Sequence, residues 1–169
     1  MIYEFLIIFL AKYLGWVLGL GLAASLIRAN SSRIMVIEAF LSGAVARFGF
    51  TEIIRYFYNR PRPFEVKDIT PLISHDPGGS FPSGNATFFF AFATTLLFYD
   101  RRWGAVFFVG AILMGAARVL AGVHWPSDIL GGAAVGVLTS CIVNFLLKNY
   151  WKSDVHLYTE IRKHFSRNL

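Results

Sequence analysis

Apolar runs close to membrane length recur along the whole chain, and that recurrence restricts the fold more than any other feature. A hydrocarbon core about 30 Å thick asks for roughly 20 mostly apolar residues per helix. Residues 5–27, 34–58, 84–99, 103–121 and 127–147 each meet or approach that length. With 56% hydrophobic and 15% charged residues and a mean hydropathy of +0.55, the balance departs from that of soluble domains. The pattern predicts an all-α integral membrane bundle of about five transmembrane helices, in a single domain over residues 1–169. The third run is short, so its helix is expected to start below the membrane surface. Because the runs continue to the end, the first is not read as a cleaved signal segment.

The charge distribution orients this bundle. The formal net charge is +6, and the 28–33 connection, the turn Asp100-Arg101-Arg102 and the tail beyond Lys148 share one side. The positive-inside rule makes that side cytoplasmic and places the 59–82 loop outside. All six prolines fall in that loop or at Pro126, so irregular backbone is expected on the outer face and uninterrupted helices below it. In residues 153–169, Val155, Tyr158, Ile161, Phe165 and Leu169 lie near one helical face. That spacing reads as a short amphipathic helix on the inner leaflet or as a frayed cytoplasmic tail. Tyr150 and Trp151 suit an interfacial belt. Basic residues divide between both faces, which argues against nucleic acid as a partner and leaves membrane lipids. The lone Cys141 can form no internal disulfide. Scattered acids, with no Cys or His pair at ligand spacing, predict neither metal nor cofactor. Nothing in the sequence specifies an oligomeric state.

Three polar clusters stand at the outer edges of apolar runs, where charge is costly unless paired or functional. They are Arg55 with Arg60, Arg62 and Pro63; Phe81-Pro82-Ser83-Gly84-Asn85; and Arg118, His124 and Asp128. Guanidiniums match phosphate oxygens with paired donors and stay charged when partly desolvated. Ser83 and Gly84 open the third helix, whose free N–H groups form an anion site. His124 precedes Trp125-Pro126, so Asp128 falls in the first turn of the fifth helix and its carboxylate can reach back to the ring. Taken singly, each cluster has an ordinary explanation: snorkelling arginines, a serine N-cap, an interfacial histidine on a capping aspartate. Their convergence on one face favours a functional site.

The order Arg55-x6-Arg62-Pro63, Pro82-Ser83-Gly84-Asn85 and Ala117-Arg118-x5-His124-x3-Asp128 resembles the type 2 phosphatidic acid phosphatase family. That family carries K-x6-R-P, P-S-G-H and S-R-x5-H-x3-D in the same order, and the resemblance covers roughly residues 50–140. It implies a membrane phosphatase acting on a lipid phosphate or diphosphate at the extracytoplasmic surface. It further implies that His124 attacks phosphorus to form a phosphohistidine and that Asp128 fixes its tautomer. Arg55, Arg62 and Arg118, with Ser83 and Gly84, would bind the phosphoryl oxygens. Soluble vanadium-dependent haloperoxidases share the phosphate pattern but not the apolar runs. A transporter is disfavoured because the charges gather at one surface and not at a broken helix near the midplane.

Three positions depart from the family pattern. Arginine replaces lysine at Arg55, alanine replaces serine at Ala117, and Asn85 stands where the family has the histidine that protonates the departing oxygen. An amide donates a hydrogen bond but supplies no proton. An engineered inactive variant, a pseudoenzyme that binds lipid phosphate, and an enzyme with a tolerant substrate all remain open. Leaving-group chemistry favours a polyprenyl diphosphate, of the undecaprenyl pyrophosphate kind, because it expels a stable phosphate monoester. Phosphatidic acid and phosphatidylglycerol phosphate are the alternatives. His75, in the outer loop, is an auxiliary acid candidate. Arg60 is read as a loop charge. Lys12, Glu38, Arg47 and Glu52 lie inside spans and outside the motifs; Glu52 is expected to pair with Arg55, three residues away, and Arg47 to share that carboxylate or contact lipid.

Overall fold

The computed structural model describes residues 2–26 and 32–167, with side chains over 2–20 and 34–149. Every regular element among the described residues is helical. The helices are α1 (Ile2–Lys12), α2 (Leu14–Leu26), α3 (Ser32–Ala44), α4 (Thr51–Phe57), α5 (Pro63–Val66), α6 (Gly84–Tyr99), α7 (Arg101–Leu120) and α8 (Pro126–Arg167). A π-helical segment, Val45–Phe50, joins α3 to α4. Among the described residues, three stretches are long and apolar enough to cross a membrane: Ile34–Phe57, Arg101–Leu120 and Pro126–Asn149.

The two other expected spans differ from expectation. Residues 5–27 are broken at Tyr13, where α1 and α2 meet at a 53° bend, and count as a fourth span only when taken together. No proline causes this. The Ala11 carbonyl at the bend accepts from Arg118 NH1 at 3.3 Å, which draws α1 toward the end of α7. Gly15 lies against Phe89 and Met114 just beyond the bend. The fifth, α6, has 16 residues and rises only about 24 Å, so it falls short of a full span. It is also the most buried helix, enclosed from Ala86 to Leu96 by α3, α7 and α8.

Close packing around α6 follows from small side chains. A Cβ at Gly132 would lie 2.8 Å from the Ser83 carbonyl oxygen, and one at Gly136 would lie 2.8 Å from the Ala91 nitrogen. Small residues four apart let α8 rest directly on the α6 backbone, the usual route to tight helix association in lipid. Below, Ala39, Phe92, Leu96 and Phe107 form the largest apolar cluster. Deep in the bundle, Thr95 Oγ1 and Ser140 Oγ share a hydrogen bond of 2.8 Å. Buried Glu38 accepts from Asn144 Nδ2 at 2.7 Å and from the Tyr99 hydroxyl.

At the other end, α7 closes on a left-handed residue. Gly122 has φ +78°, and its N–H donates to the Val119 carbonyl while Val123 N–H donates to the Arg118 carbonyl. This Schellman ending satisfies the last carbonyls. It also turns the chain so that His124 follows immediately, before α8 starts at Pro126. The 28–33 connection falls largely outside the described residues. The apolar face expected in 153–169, and Tyr150 and Trp151, lie on side chains outside them; the backbone there continues α8 to Arg167.

Candidate active site

His124 and Asp128 meet as the spacing predicted. His124 is 2% exposed and Asp128 is fully buried, and His124 Nδ1 lies 3.3 Å from Asp128 Oδ2. On the other side of the ring, Arg62 NH1 lies 3.3 Å from Nε2. A guanidinium has only donors, so Nε2 accepts and the proton sits on Nδ1, donating to Asp128. Nε2, on the side of the ring away from Asp128, is therefore the nitrogen that carries the lone pair. Burial, and then the charges of Arg118 and Arg62, lower the His124 pKa to about 4 against the opposing Asp128 bond. The imidazole is therefore neutral at physiological pH, the form in which it is nucleophilic.

Asp128 is held on all sides. Oδ2 also accepts from Trp125 N–H at 2.8 Å, and Oδ1 accepts from Arg60 NH1 at 3.0 Å. The same Arg60 NH1 donates to Ser127 Oγ at 2.6 Å, and the guanidinium stacks 5.1 Å from the Trp125 ring centroid. The reading of Arg60 as a loop charge is thus corrected. A buried carboxylate engaged by histidine through one oxygen needs a donor for the other, and Arg60 supplies it. No motif spacing carries this signal, because Arg60 and Asp128 are 68 residues apart.

Of the expected phosphate ligands, Arg62 stands at Nε2, while the charges of Arg118 and Arg55 act on His124 and on Arg62 respectively. Arg62 is anchored through NH1 to the Val123 carbonyl at 3.0 Å and through NH2 to the Gly79 carbonyl at 3.3 Å. Its backbone N–H is taken by Glu65 Oε2 at 2.7 Å, with Pro63 opening the short α5. Burial, and then the neighbouring Arg55 charge, lower the Arg62 pKa, a repulsion that an anion between the two guanidiniums relieves. Arg55 donates to the Pro82 carbonyl at 3.0 Å and lies 3.4 Å from Glu52 Oε1, which Arg47 also engages. The expected Arg47–Glu52–Arg55 sharing is present. Arg47 further packs against Gly84, where a Cβ would collide with its side chain.

Ser83 stands at the N-cap of α6, yet its side chain caps nothing. Its N–H donates to the Asp128 carbonyl at 3.0 Å, which ties the start of α6 to the start of α8. Ser83 Oγ, Arg55 Nε and Arg62 Nε are three of the four buried side-chain polar atoms that have no hydrogen-bond partner among the described residues. All three can donate, and all three belong to residues singled out for phosphate. The first-turn amides of α6 add further donors and the positive end of its dipole.

Arg118 and Asn85 close the pocket. With its amide oriented to meet the guanidinium, the Asn85 oxygen accepts from Arg118 NH1 at 2.9 Å and NH2 at 3.3 Å. Asn85 therefore braces Arg118. His75 reaches the site from the outer loop, with its ring edge-on to His124 and centroids 5.9 Å apart. Burial, followed by the charge of Arg62, lowers its pKa. From Asn85 and Arg118 a cavity of ≈ 410 Å³ descends between α1–α2 and α6–α7, past Phe88, Phe89 and Met114.

A buried neutral histidine held between an aspartate and a guanidinium, at one end of an apolar helical bundle, marks a membrane protein with a polar site at that end. The PAP2 superfamily model matches residues 35–152, and the chain belongs to that superfamily. The bacitracin transport permease protein BcrC of Bacillus licheniformis is 33% identical over 80% of this chain and 67% of its own length. The undecaprenyl-diphosphatase BcrC of Bacillus subtilis is 32% identical over 69% of this chain and 60% of its own. The chain thus spans about two thirds or less of these relatives. Others carry the names lipid A 1-phosphatase and phosphatidylglycerophosphatase B. In the crystal structure of Aquifex aeolicus LpxE, 85% of the chain is matched by 82% of this one, at 27% identity and a TM-score of 0.67.

Proposed function

We propose that this chain is a single-domain, metal-independent lipid phosphatase that hydrolyses a polyprenyl diphosphate through a phosphohistidine at His124. One observation carries the reading: Arg62 donates to Nε2 of His124, and Arg55 Nε, Arg62 Nε and Ser83 Oγ are buried donors without a partner among the described residues. A tetrahedral dianion is the ligand that satisfies such a surplus of donors. Nε2 attacks the terminal phosphorus, an N–P bond forms, and the P–O bond to the bridging oxygen breaks with its electron pair on that oxygen. Water then attacks the phosphohistidine, the N–P bond breaks, and inorganic phosphate leaves. Arg55, Arg62 and Arg118 neutralise charge as it develops on the phosphoryl oxygens.

Asn85 supports the diphosphate over a glycerolipid phosphate. A departing lipid monophosphate is stable at neutral pH without a proton, whereas the alkoxide of phosphatidic acid or phosphatidylglycerol phosphate is not. His75, neutral because its pKa is lowered, takes a proton from the water that attacks the phosphohistidine and then, as an auxiliary acid, passes it to an oxygen of the departing inorganic phosphate. In this reading α6 is a fifth helix that starts below the outer surface, the site faces outward and the carboxyl terminus is cytoplasmic, as the lysine and arginine bias favours. Asn85 also supports a second reading, a lipid-phosphate binder with impaired turnover.

Phosphate release by detergent-solubilised protein separates the two. Turnover of a polyprenyl diphosphate in preference to phosphatidic acid, abolished by His124→Ala, is expected of the enzyme. Activity that arises only in Asn85→His would instead identify the binder.

A further inference from the structure

Lys12 is the one lysine lining the cavity, and no phosphate motif accounts for it. It ends α1 at the bend, next to the Ala11 carbonyl that accepts from Arg118. Its ammonium lies 5.6 Å from the Tyr13 ring centroid, and among the described residues no carboxylate forms an ion pair with it. A cation at the end of a helix can serve its last carbonyls. That role explains the charge but not the wall Lys12 shares with Asn85 and Arg118. An ammonium within an apolar span is disfavoured unless it meets an anion.

We propose that Lys12, Arg118 and Asn85 form a second-phosphate subsite at the polar mouth of the cavity, which holds the ester-linked phosphate of a lipid diphosphate. The proposal rests on the diphosphatase reading above. The terminal phosphate lies at His124, and in-line displacement drives the bridging oxygen away from Nε2. That oxygen takes the electron pair of the broken P–O bond and becomes part of a lipid monophosphate dianion. Lys12 and Arg118 balance this new charge where the family's acid would have supplied a proton, and the Asn85 amide N–H, opposite the oxygen committed to Arg118, donates to it. The aromatic walls below, from Phe88 and Phe89 to Phe92 and Phe107, receive the first part of the hydrocarbon tail. The ≈ 410 Å³ volume lies within the range of ligand cavities.

The test compares the full chain in detergent with Lys12→Met and Lys12→Arg, using farnesyl diphosphate and a short-chain phosphatidic acid. The ratio of the two kcat/KM values should fall about tenfold or more in Lys12→Met and be largely restored in Lys12→Arg. A ratio unmoved by Lys12→Met, or unrestored by arginine, overturns the subsite and leaves the diphosphatase reading standing. A parent that hydrolyses phosphatidic acid but not the diphosphate overturns both. If neither turns over, thermal stabilisation gives the same contrast: inorganic pyrophosphate should stabilise the parent more than orthophosphate does, and Lys12→Met should abolish that excess. An excess retained in Lys12→Met sinks the proposal.

Discussion

The bundle buries polar groups at two levels, and they are built differently. In the deeper one, Glu38 takes both Asn144 and the Tyr99 hydroxyl, and Thr95 pairs with Ser140. There donors and acceptors meet each other, and among the described residues only the Ser42 hydroxyl, one turn from Glu38, lacks a partner. At the outer end the carboxylate of Asp128 is saturated by His124, Trp125 and Arg60, while donors remain on Arg55, Arg62 and Ser83. A cluster that satisfies itself cross-links helices, since breaking it strands buried groups. A cluster with donors in surplus recruits an anion. The same residue chemistry in the same bundle thus gives a staple in one place and a set of uncommitted donors in the other.

That contrast breaks most sharply at the histidine. His124→Ala should lower phosphate release by at least about 10³-fold, and Asp128→Asn by a similar factor through loss of the Nδ1–H tautomer. Arg62→Ala should cost about 10²-fold in kcat/KM, as for removal of one transition-state donor. A charged hydrogen bond contributes about 1.5–3 kcal/mol, so Arg60→Ala should lower kcat/KM by roughly 10–100-fold without changing which substrate is preferred. Glu38→Ala should behave in the opposite way. It strands Asn144 and Tyr99, so thermal melting in detergent should show a loss of about 1–3 kcal/mol, with kcat/KM within about threefold of the parent.

The pH dependence sharpens the comparison further. The folded His124 pKa of about 4 lies below an unfolded value near 6.5. The unfolded chain therefore takes up a proton first as pH falls from 6.5 toward 4, and the stability this residue contributes at neutral pH is lost across that window. The folded-state imidazole itself stays neutral there. Initial rates at saturating substrate should accordingly show no loss from His124 protonation until pH nears 4. A limb near pH 6.5 that shifts in Asp128→Asn would contradict this tautomer assignment.

Several positions were legible early because their signal is local. His124 and Asp128 sit four apart across a helix start, and Pro126 fixes where that helix begins. Arg62 next to Pro63 and Ser83-Gly84 at a helix mouth were readable for the same reason. Arg60 was not, because its role depends on which carboxylate oxygen a partner 68 residues away leaves free. Gly122 gives no local signal, because a left-handed residue shows itself only where the helix ends. The bend at Tyr13 carries no proline, and the contact that shapes it comes from Arg118 on another helix.

By itself the sequence determined the solvent, the helical class and the chemical alphabet of the site, since hydrophobic run length and motif order are properties of the chain in one dimension. Tertiary structure alone decided which donors were satisfied and which were left over. It also set how short a central helix the bundle could enclose and that Asn85 braces Arg118. Those outcomes depend on pairing between helices far apart in sequence, and pairing is a matter of distance and angle that residue identities do not encode.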